Sequence, residues 1–297
     1  MADADRSTIE FLKDQKTGAR TARAWLDPCA YGAWAAGLQK KITVEYVGDR
    51  HWLSVIGIGN PIYGAARDAH VASGRPVACW DMGYVGKTKD PLNCYCRVSL
   101  NTDHPTDEDI ETTEPNPSRW NALGTRLRND ADPNGPVIVI GMGPKSHVYV
   151  KDDEWEIRTL LATQARFPRR QVLYRPKPLR HNFVPVEWPR VMDEMPIAAA
   201  LRGASLVICR HSNVAVDACI AGVPVECEAG AAHWLYSRHP VPTVAQRLDF
   251  LHRLAWWQWR LRTRDMEKAW TFLIKRAEMR AGPQVHPGPA AAVVEQG

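Results

Sequence analysis

Apolar and polar positions alternate in blocks along this chain, and the blocks switch between short β-branched runs and helical stripes. The clearest block is residues 199–225, AALRGASLVICRHSNVAVDACIAGVPV. It predicts a helix end, a buried strand over 205–209, a polar turn at 210–213 and a small-residue helix over 214–221. A Gly-Val-Pro exit then leads into a further strand. A helix opened by Arg, His, Ser and Asn presents orphan N–H groups and the positive end of its dipole. Together they seat an anion.

Upstream, the pattern predicts amphipathic helices over 7–15 and 20–26 and an Ala/Gly-rich piece to residue 37. Strands follow over 42–47 and 52–58, a Gly-Ile-Gly-Asn-Pro turn over 57–61, a helix over 62–72 and a buried strand over 77–81. After a strand at 97–100, residues 102–121 are rich in Pro, Thr, Asp and Glu and read as a loop or link. A second series has a strand at 137–140, a Gly-Met-Gly-Pro-Lys-Ser turn, a helix over 154–167, a strand over 171–174 and a rigid Arg-Pro-Lys-Pro loop. Residues 244–281 predict one or two amphipathic helices, and the Pro- and Ala-rich tail predicts disorder. This alternation predicts an α/β fold with parallel sheets, arranged as two facing Rossmann-like domains. The expected boundaries are 1–130, 131–250, C-terminal crossover helices over 251–281, and a tail over 282–297.

Composition narrows the function class. A chain of 297 residues, 45% hydrophobic and 24% charged, can bury one large or two medium cores. No apolar run approaches the roughly 20 residues that span a bilayer. The N-terminus, mixed in charge, is unlike a secretory signal, so a cytoplasmic protein is expected. The 7 cysteines are odd in number, and Cys94 and Cys96 lack a second pair to complete a zinc site. Buried free thiols are expected. A net charge of +5 permits an anionic partner, and 12 Trp supply flat apolar faces for core, sugar or base.

Three loops follow buried strands in the second half, and in a parallel sheet they share one edge. They bring together Lys145, Ser146, Arg175, Lys177, Arg210, His211, Ser212 and Asn213. Cations with hydroxyl, amide and imidazole groups suit a diphosphate. In the first half, a hydroxyl acceptor needs a general base. Asp81, directly after a buried strand, is the first candidate, with a turn carboxylate capping Gly83 as its other reading. Asp103 and His104 are the second, Asp103 also reading as an Asx-turn before Pro105. The turn at Gly57, Gly59 and Asn60 would let an acceptor approach the backbone closely. Trp256, Trp257, Trp259 and Trp270, with Arg253, Arg260, Arg262 and Arg264, form either a helix packed into an interface or a basic-aromatic strip on nucleic acid.

Arg-Pro-Lys-Pro at 175–178, followed by H-S-N-V-A-V-D-A-C-I-A-G-V-P-V at 211–225, resembles the nucleotide-sugar half of GT-B glycosyltransferases. It is similar to capsule-polysaccharide transferases, in which an R-x-H-P loop precedes a Ser-rich helix start and a downstream G-x-P-V. It also resembles phage-encoded glycosyltransferases that modify DNA. The likeness covers residues 171–239, and the first half matches only in architecture. It implies that Ser212 and Asn213 hold the donor diphosphate and that Asp217 contacts the donor ribose or sugar. Asp217 equally reads as a carboxylate favoured by the helix dipole. Lys177 stands where the family has His, keeping a cation and losing an imidazole. The resembling stretch 171–239 holds no Asp-x-Asp, and the expected enzyme is metal-independent, without cofactor, and takes a nucleotide-sugar, UDP-linked, as substrate. The favoured acceptor is hydroxymethylated pyrimidine in phage DNA, the location then being the host cytoplasm. Alternatives are a polysaccharide or protein acceptor, a nucleotide-sugar epimerase, or a non-catalytic nucleotide- or DNA-binding protein.

Overall fold

The computed structural model describes residues 8–12, 19–43, 46–48, 50–56, 61–86, 94–143, 146–147, 150, 152–177, 186–192 and 195–281. Gly57, Gly59, Asn60, Lys145 and the tail from residue 282 lie outside them.

Two β-sheets, flanked by helices, make this an α/β fold. The first comprises β1 (Thr8–Leu12), β2 (Gln39–Thr43), β3 (Trp52–Ile56), β4 (Val77–Met82), β5 (Tyr95–Leu100) and, from far along the chain, β10 (Gln258–Arg260). Their order is β10-β5-β4-β3-β1-β2. β1 to β4 pair in parallel, whereas β5 and β10 pair antiparallel, so the sheet is mixed rather than wholly parallel. The ladder between β4 and β5 continues past the strands, with Gly83 N–H donating to Tyr95 O at 2.9 Å.

β1 replaces a predicted helix. Ile9 and Phe11 are buried with period 2, and Glu10 between them is buried too. Its carboxylate accepts the N–H groups of Val47 and Gly48 at 2.9 and 3.1 Å. A charge that would mark the solvent face of a helix is here an interior acceptor. α1 (Ala19–Ala35) runs well beyond the expected 20–26, and α2 (Pro61–Ala72) lies close to its expected place. The link at 102–121 contains two short helices, α3 (Asp107–Glu111) and α4 (Pro117–Asn121). Thr106 and Asp109 form a capping box on the first, and Asn116 caps the second ahead of Pro117.

The second sheet is wholly parallel: β6 (Val137–Ile140), β7 (Val172–Arg175), β8 (Leu206–Cys209) and β9 (Val225–Cys227), in the order β7-β6-β8-β9. Around it lie α5 (Trp155–Arg166), α6 (Ile197–Ala200), α7 (Val214–Ala221) and α8 (His233–Arg238). Gly222 ends α7 with φ +78°, and a Cβ there would lie 2.8 Å from Arg128 O, so only glycine fits.

The C-terminal part holds α9 (Val244–Leu254), a 3₁₀ turn (Ala255–Trp257), β10 and α10 (Thr263–Ala281). β10 joins the first sheet, where only helices were expected. The aromatic part of the Trp- and Arg-rich strip is interior packing, whereas Arg262 and Arg264 are exposed. Trp257 and Trp270 are fully buried and Trp259 nearly so. Trp270 meets Phe11, Trp52 and Trp80 at centroid distances of 6.1, 5.7 and 5.3 Å. Arg253 donates to Glu111 O and Thr113 O at 2.7 and 2.9 Å. One apolar core runs from Ile9 and Trp80 in the first sheet through to Ile138 and Val207 in the second. All seven cysteines are free thiols, Cys227 half-buried and the rest buried. Among the described residues no helix is long and apolar enough to cross a membrane.

α1 and α10 approach so closely that a Cβ on Gly32 would sit 2.5 Å from Met266 Cβ and 2.6 Å from its carbonyl carbon. Gly32→Ala is expected to destabilise the fold by about 1–3 kcal/mol. In urea this appears as a lower midpoint with an unchanged slope.

Candidate functional site

The carboxyl ends of β6, β7 and β8 lie along one edge of the parallel sheet, where open α/β sheets present ligand-binding loops. The loops touch through side chains. Ser146 Oγ is hydrogen-bonded to His211 Nε2 at 3.0 Å, and Lys177 Nζ donates to Ser212 Oγ at 3.2 Å. Ser212 Oγ also accepts the N–H of Val214, the first residue of α7, at 3.2 Å. Asn213 occupies the N-cap position yet makes no side-chain cap.

The loop after β6 is held from below by Glu156 on α5, which is fully buried. Its carboxylate accepts the Met142 N–H and the Tyr174 hydroxyl, the latter at 2.6 Å, and lies 3.4 Å from His147 Nε2. Gly141 N–H goes to Arg175 O at 2.9 Å, and the N–H groups of Ser146 and His147 go to Gly143 O at 2.8 and 3.1 Å. Gly141 is required: a Cβ would lie 2.8 Å from the Tyr174 hydroxyl.

Not every expected cation faces this edge. Arg175 is the last residue of β7 rather than a loop residue, and its Nη2 donates to Met195 O at 2.5 Å. Its Nη1 is buried with no hydrogen-bond partner among the described residues, and burial lowers its pKa. Arg210 is engaged by Asp152 and Glu228, each at 3.6 Å. Asp217 lies half-buried in the first turn of α7.

The first sheet contributes the other side. Asp81 on β4 and Arg97 on β5 are direct cross-strand partners. Arg97 Nη2 donates to Asp81 Oδ2 at 3.2 Å, and Nη1 donates to Asn213 Oδ1 at 3.0 Å. Asp81 Oδ1 accepts the N–H of Met82 at 2.7 Å, not that of Gly83, and its side chain is one-third exposed. Asp103 is ion-paired with buried Arg67, and burial raises its pKa despite that partner. His104 is hydrogen-bonded through Nδ1 to the Tyr84 hydroxyl at 3.0 Å. Burial, then the charges of Arg97, His211 and Lys177, push its pKa well down. The structure therefore brings Asp81, His104, Ser146, Lys177, His211, Ser212 and Asn213 together, and Asp81 is the carboxylate tied to Asn213 through Arg97. Arg97, absent from the sequence reading, ties the two sides. Its only sequence signal is a charged residue inside an apolar strand.

Electrostatically the cluster favours anions. Burial first, and then Lys177, Arg210 and Arg97, push the His211 pKa down to about 4. Its imidazole is neutral at pH 7, offering one donor and one acceptor. A cavity of about 620 Å³ lies apart from this cluster, lined by Arg169, Arg170, Trp188 and Arg190 near the start of β7. Strand ends, rather than cavity size, locate the chemistry. Among the described residues no group of three or more His, Cys, Asp or Glu side chains is gathered to hold a metal ion.

No protein-family model and no curated protein matches the chain. Among solved structures it is similar to the β-Kdo 2,7 transferase of Thermosulfurimonas dismutans KpsC, with TM-score 0.51 and 13% identity over 92% of this chain and 100% of that one. It is likewise similar to the β-Kdo 2,4 transferase of the same KpsC, with TM-score 0.50 and 9% identity over 86% of this chain and 92% of the other. At such identities the likeness is one of fold.

The low pKa of His211 has a consequence for stability. Because folding depresses it from the ordinary 6.5 to about 4, the unfolded chain binds the proton first as pH falls. Stability is unaffected above about pH 6.5 and declines as pH falls towards 4. His211→Gln is expected to flatten part of that decline in melting temperature. An unaltered slope would remove His211 from the account.

Proposed function

We propose that the chain is a GT-B glycosyltransferase that moves a sugar from a nucleotide-diphosphate donor, UDP-linked, to a hydroxyl acceptor. The observation that carries this reading is the meeting of an anion seat with a carboxylate from the other sheet. Lys177, Ser212 and the head of α7 form the seat, and Asp81 faces it through Arg97. The division into facing units 1–130 and 131–250, with 251–281 returning to the first, is supported by sheet membership.

In the reaction, the acceptor hydroxyl oxygen attacks the anomeric carbon while the bond from that carbon to the diphosphate oxygen breaks. The hydroxyl proton passes to Asp81. The electron pair leaves with the diphosphate, whose charge is met by Lys177, Ser212, Asn213 and the α7 dipole. Direct displacement of this kind inverts the anomeric centre. Asp81 suits the base because its partner Arg97 also holds Asn213 at the donor seat, whereas Asp103 is paired with Arg67 and His104 with Tyr84.

A saccharide is the acceptor we favour over DNA. Most of the aromatic-basic strip that pointed to nucleic acid is used in packing: Trp257 and Trp270 are fully buried and Arg253 is bound to backbone carbonyls, which leaves Arg262 and Arg264 exposed. The fold shared with two Kdo transferases is consistent with a sugar acceptor.

The test incubates the protein with a panel of sugar nucleotides, offering oligosaccharides and hydroxymethylated DNA in parallel, and follows product mass. Transfer to a saccharide is expected, and mass gained by the DNA instead would reassign the acceptor. Asp81→Asn should lower kcat by about 10²–10⁴-fold with the donor KM nearly unchanged. Consumption of no donor, or an Asp81→Asn enzyme as fast as wild type, would overturn the reading. Ser212→Ala should raise the Kd for UDP by about 3–10-fold, as loss of one hydrogen bond does. Calorimetry measures it.

A further inference from the structure

Arg97 is an unusual residue for its position. It lies in the middle of β5, its side chain is only 10% exposed, and its two terminal nitrogens serve different parts of the molecule. One holds Asp81 on the neighbouring strand, and the other holds Asn213 at the head of α7, 116 residues away. The face of the guanidinium lies 5.9 Å from the centroid of Tyr84, whose hydroxyl holds His104. Nε is buried with no hydrogen-bond partner among the described residues.

A cation so enclosed is costly unless it is paired, and its one carboxylate partner is a third exposed. An apolar residue would fill this strand position without that cost. The partner at the other end makes a matching concession. Asn is a favoured N-cap residue, yet the Asn213 side chain caps no α7 N–H and gives its Oδ1 to Arg97. Both ends of the bridge therefore forgo a locally better arrangement.

We infer that Arg97 is a positioning residue that sets the spacing between the Asp81 carboxylate and the donor seat. The inference rests on the transferase reading above. A guanidinium suits the task because its donors form a planar fork of fixed width, so fixing one arm on Asn213 fixes the other on Asp81. A lysine in its place carries the same charge but only a point donor. The Asn213 carbonyl oxygen is occupied by Arg97, which leaves the amide NH₂ to face an anion.

The consequence is a split between chemistry and binding. In Arg97→Lys, kcat for sugar transfer should fall by about 10–100-fold, as misplacement of a reacting group by about 1 Å does. The Kd for UDP and the donor KM should stay within about threefold of wild type. Asn213→Asp keeps the acceptor for Arg97 but loses the NH₂ that meets the diphosphate, so it should raise the UDP Kd and lower kcat together, unlike Arg97→Lys. If Arg97→Lys does not fold, Arg97→Gln, too short a donor to hold both Asp81 and Asn213, takes its place, and kcat at saturating donor should fall likewise. Transfer within twofold of wild type in whichever Arg97 variant folds overturns the inference and leaves the transferase reading standing. So does a rise in UDP Kd that matches the fall in kcat, because Arg97 is then a plain donor contact. A wild-type chain that neither binds UDP nor transfers a sugar overturns both.

Discussion

The insertion of Trp270 between Phe11, Trp52 and Trp80 is the contact on which the rest of the arrangement depends. An indole so enclosed removes about 150–250 Å² from water, worth about 4–6 kcal/mol at the usual 25 cal/mol/Å². It fixes the last helix against the first strand, and β10 then completes the sheet beside β5. The order of the first sheet sets β5 next to β4, and this adjacency makes Asp81 and Arg97 partners. Packing at one end of the chain thus determines which polar groups meet at the other sheet's edge.

Across that edge the two sheets are joined by few but directional bonds. Arg97 reaches from Asp81 to Asn213, and beside Asn213 the His211 ring holds Ser146. Each member of this chain is at least half-buried, so each bond acts in a medium of low dielectric, where both its strength and the cost of losing it are enhanced. The histidines stay neutral because burial and the surrounding cations oppose their protonation. The positive charge is left to Lys177, Arg97 and the helix dipole.

Much of this was legible in the residue order. The run Leu206–Cys209, the polar turn after it and the Gly-Val-Pro exit are local signals, and they predict β8, α7 and β9 close to where they lie. Burial of polar groups was harder to read. Glu10 resembles a helix surface charge and is instead an interior acceptor for two amides. β10 is three residues long, and its partner β5 is more than 150 residues away, so no local period announces it. Arg97 escaped for the same reason: its meaning lies in strand register and in Asn213, both set by tertiary structure. Arg175 and Arg210 were legible as cations, but not as cations already engaged by Met195 and by Asp152 and Glu228.

The Gly-Met-Gly turn after β6 has the look of a phosphate cradle, yet its backbone is already spoken for. The amides of Gly141, Met142, Ser146 and His147 donate to Arg175, Glu156 and Gly143. A ligand arriving at this edge is therefore met chiefly by side chains rather than by a ring of main-chain donors. Main-chain recognition survives almost any substitution that preserves the turn, whereas recognition by side chains can be rewritten one codon at a time. Specificity at this edge is thus open to change in evolution or in the laboratory while Glu156 keeps the scaffold beneath it intact.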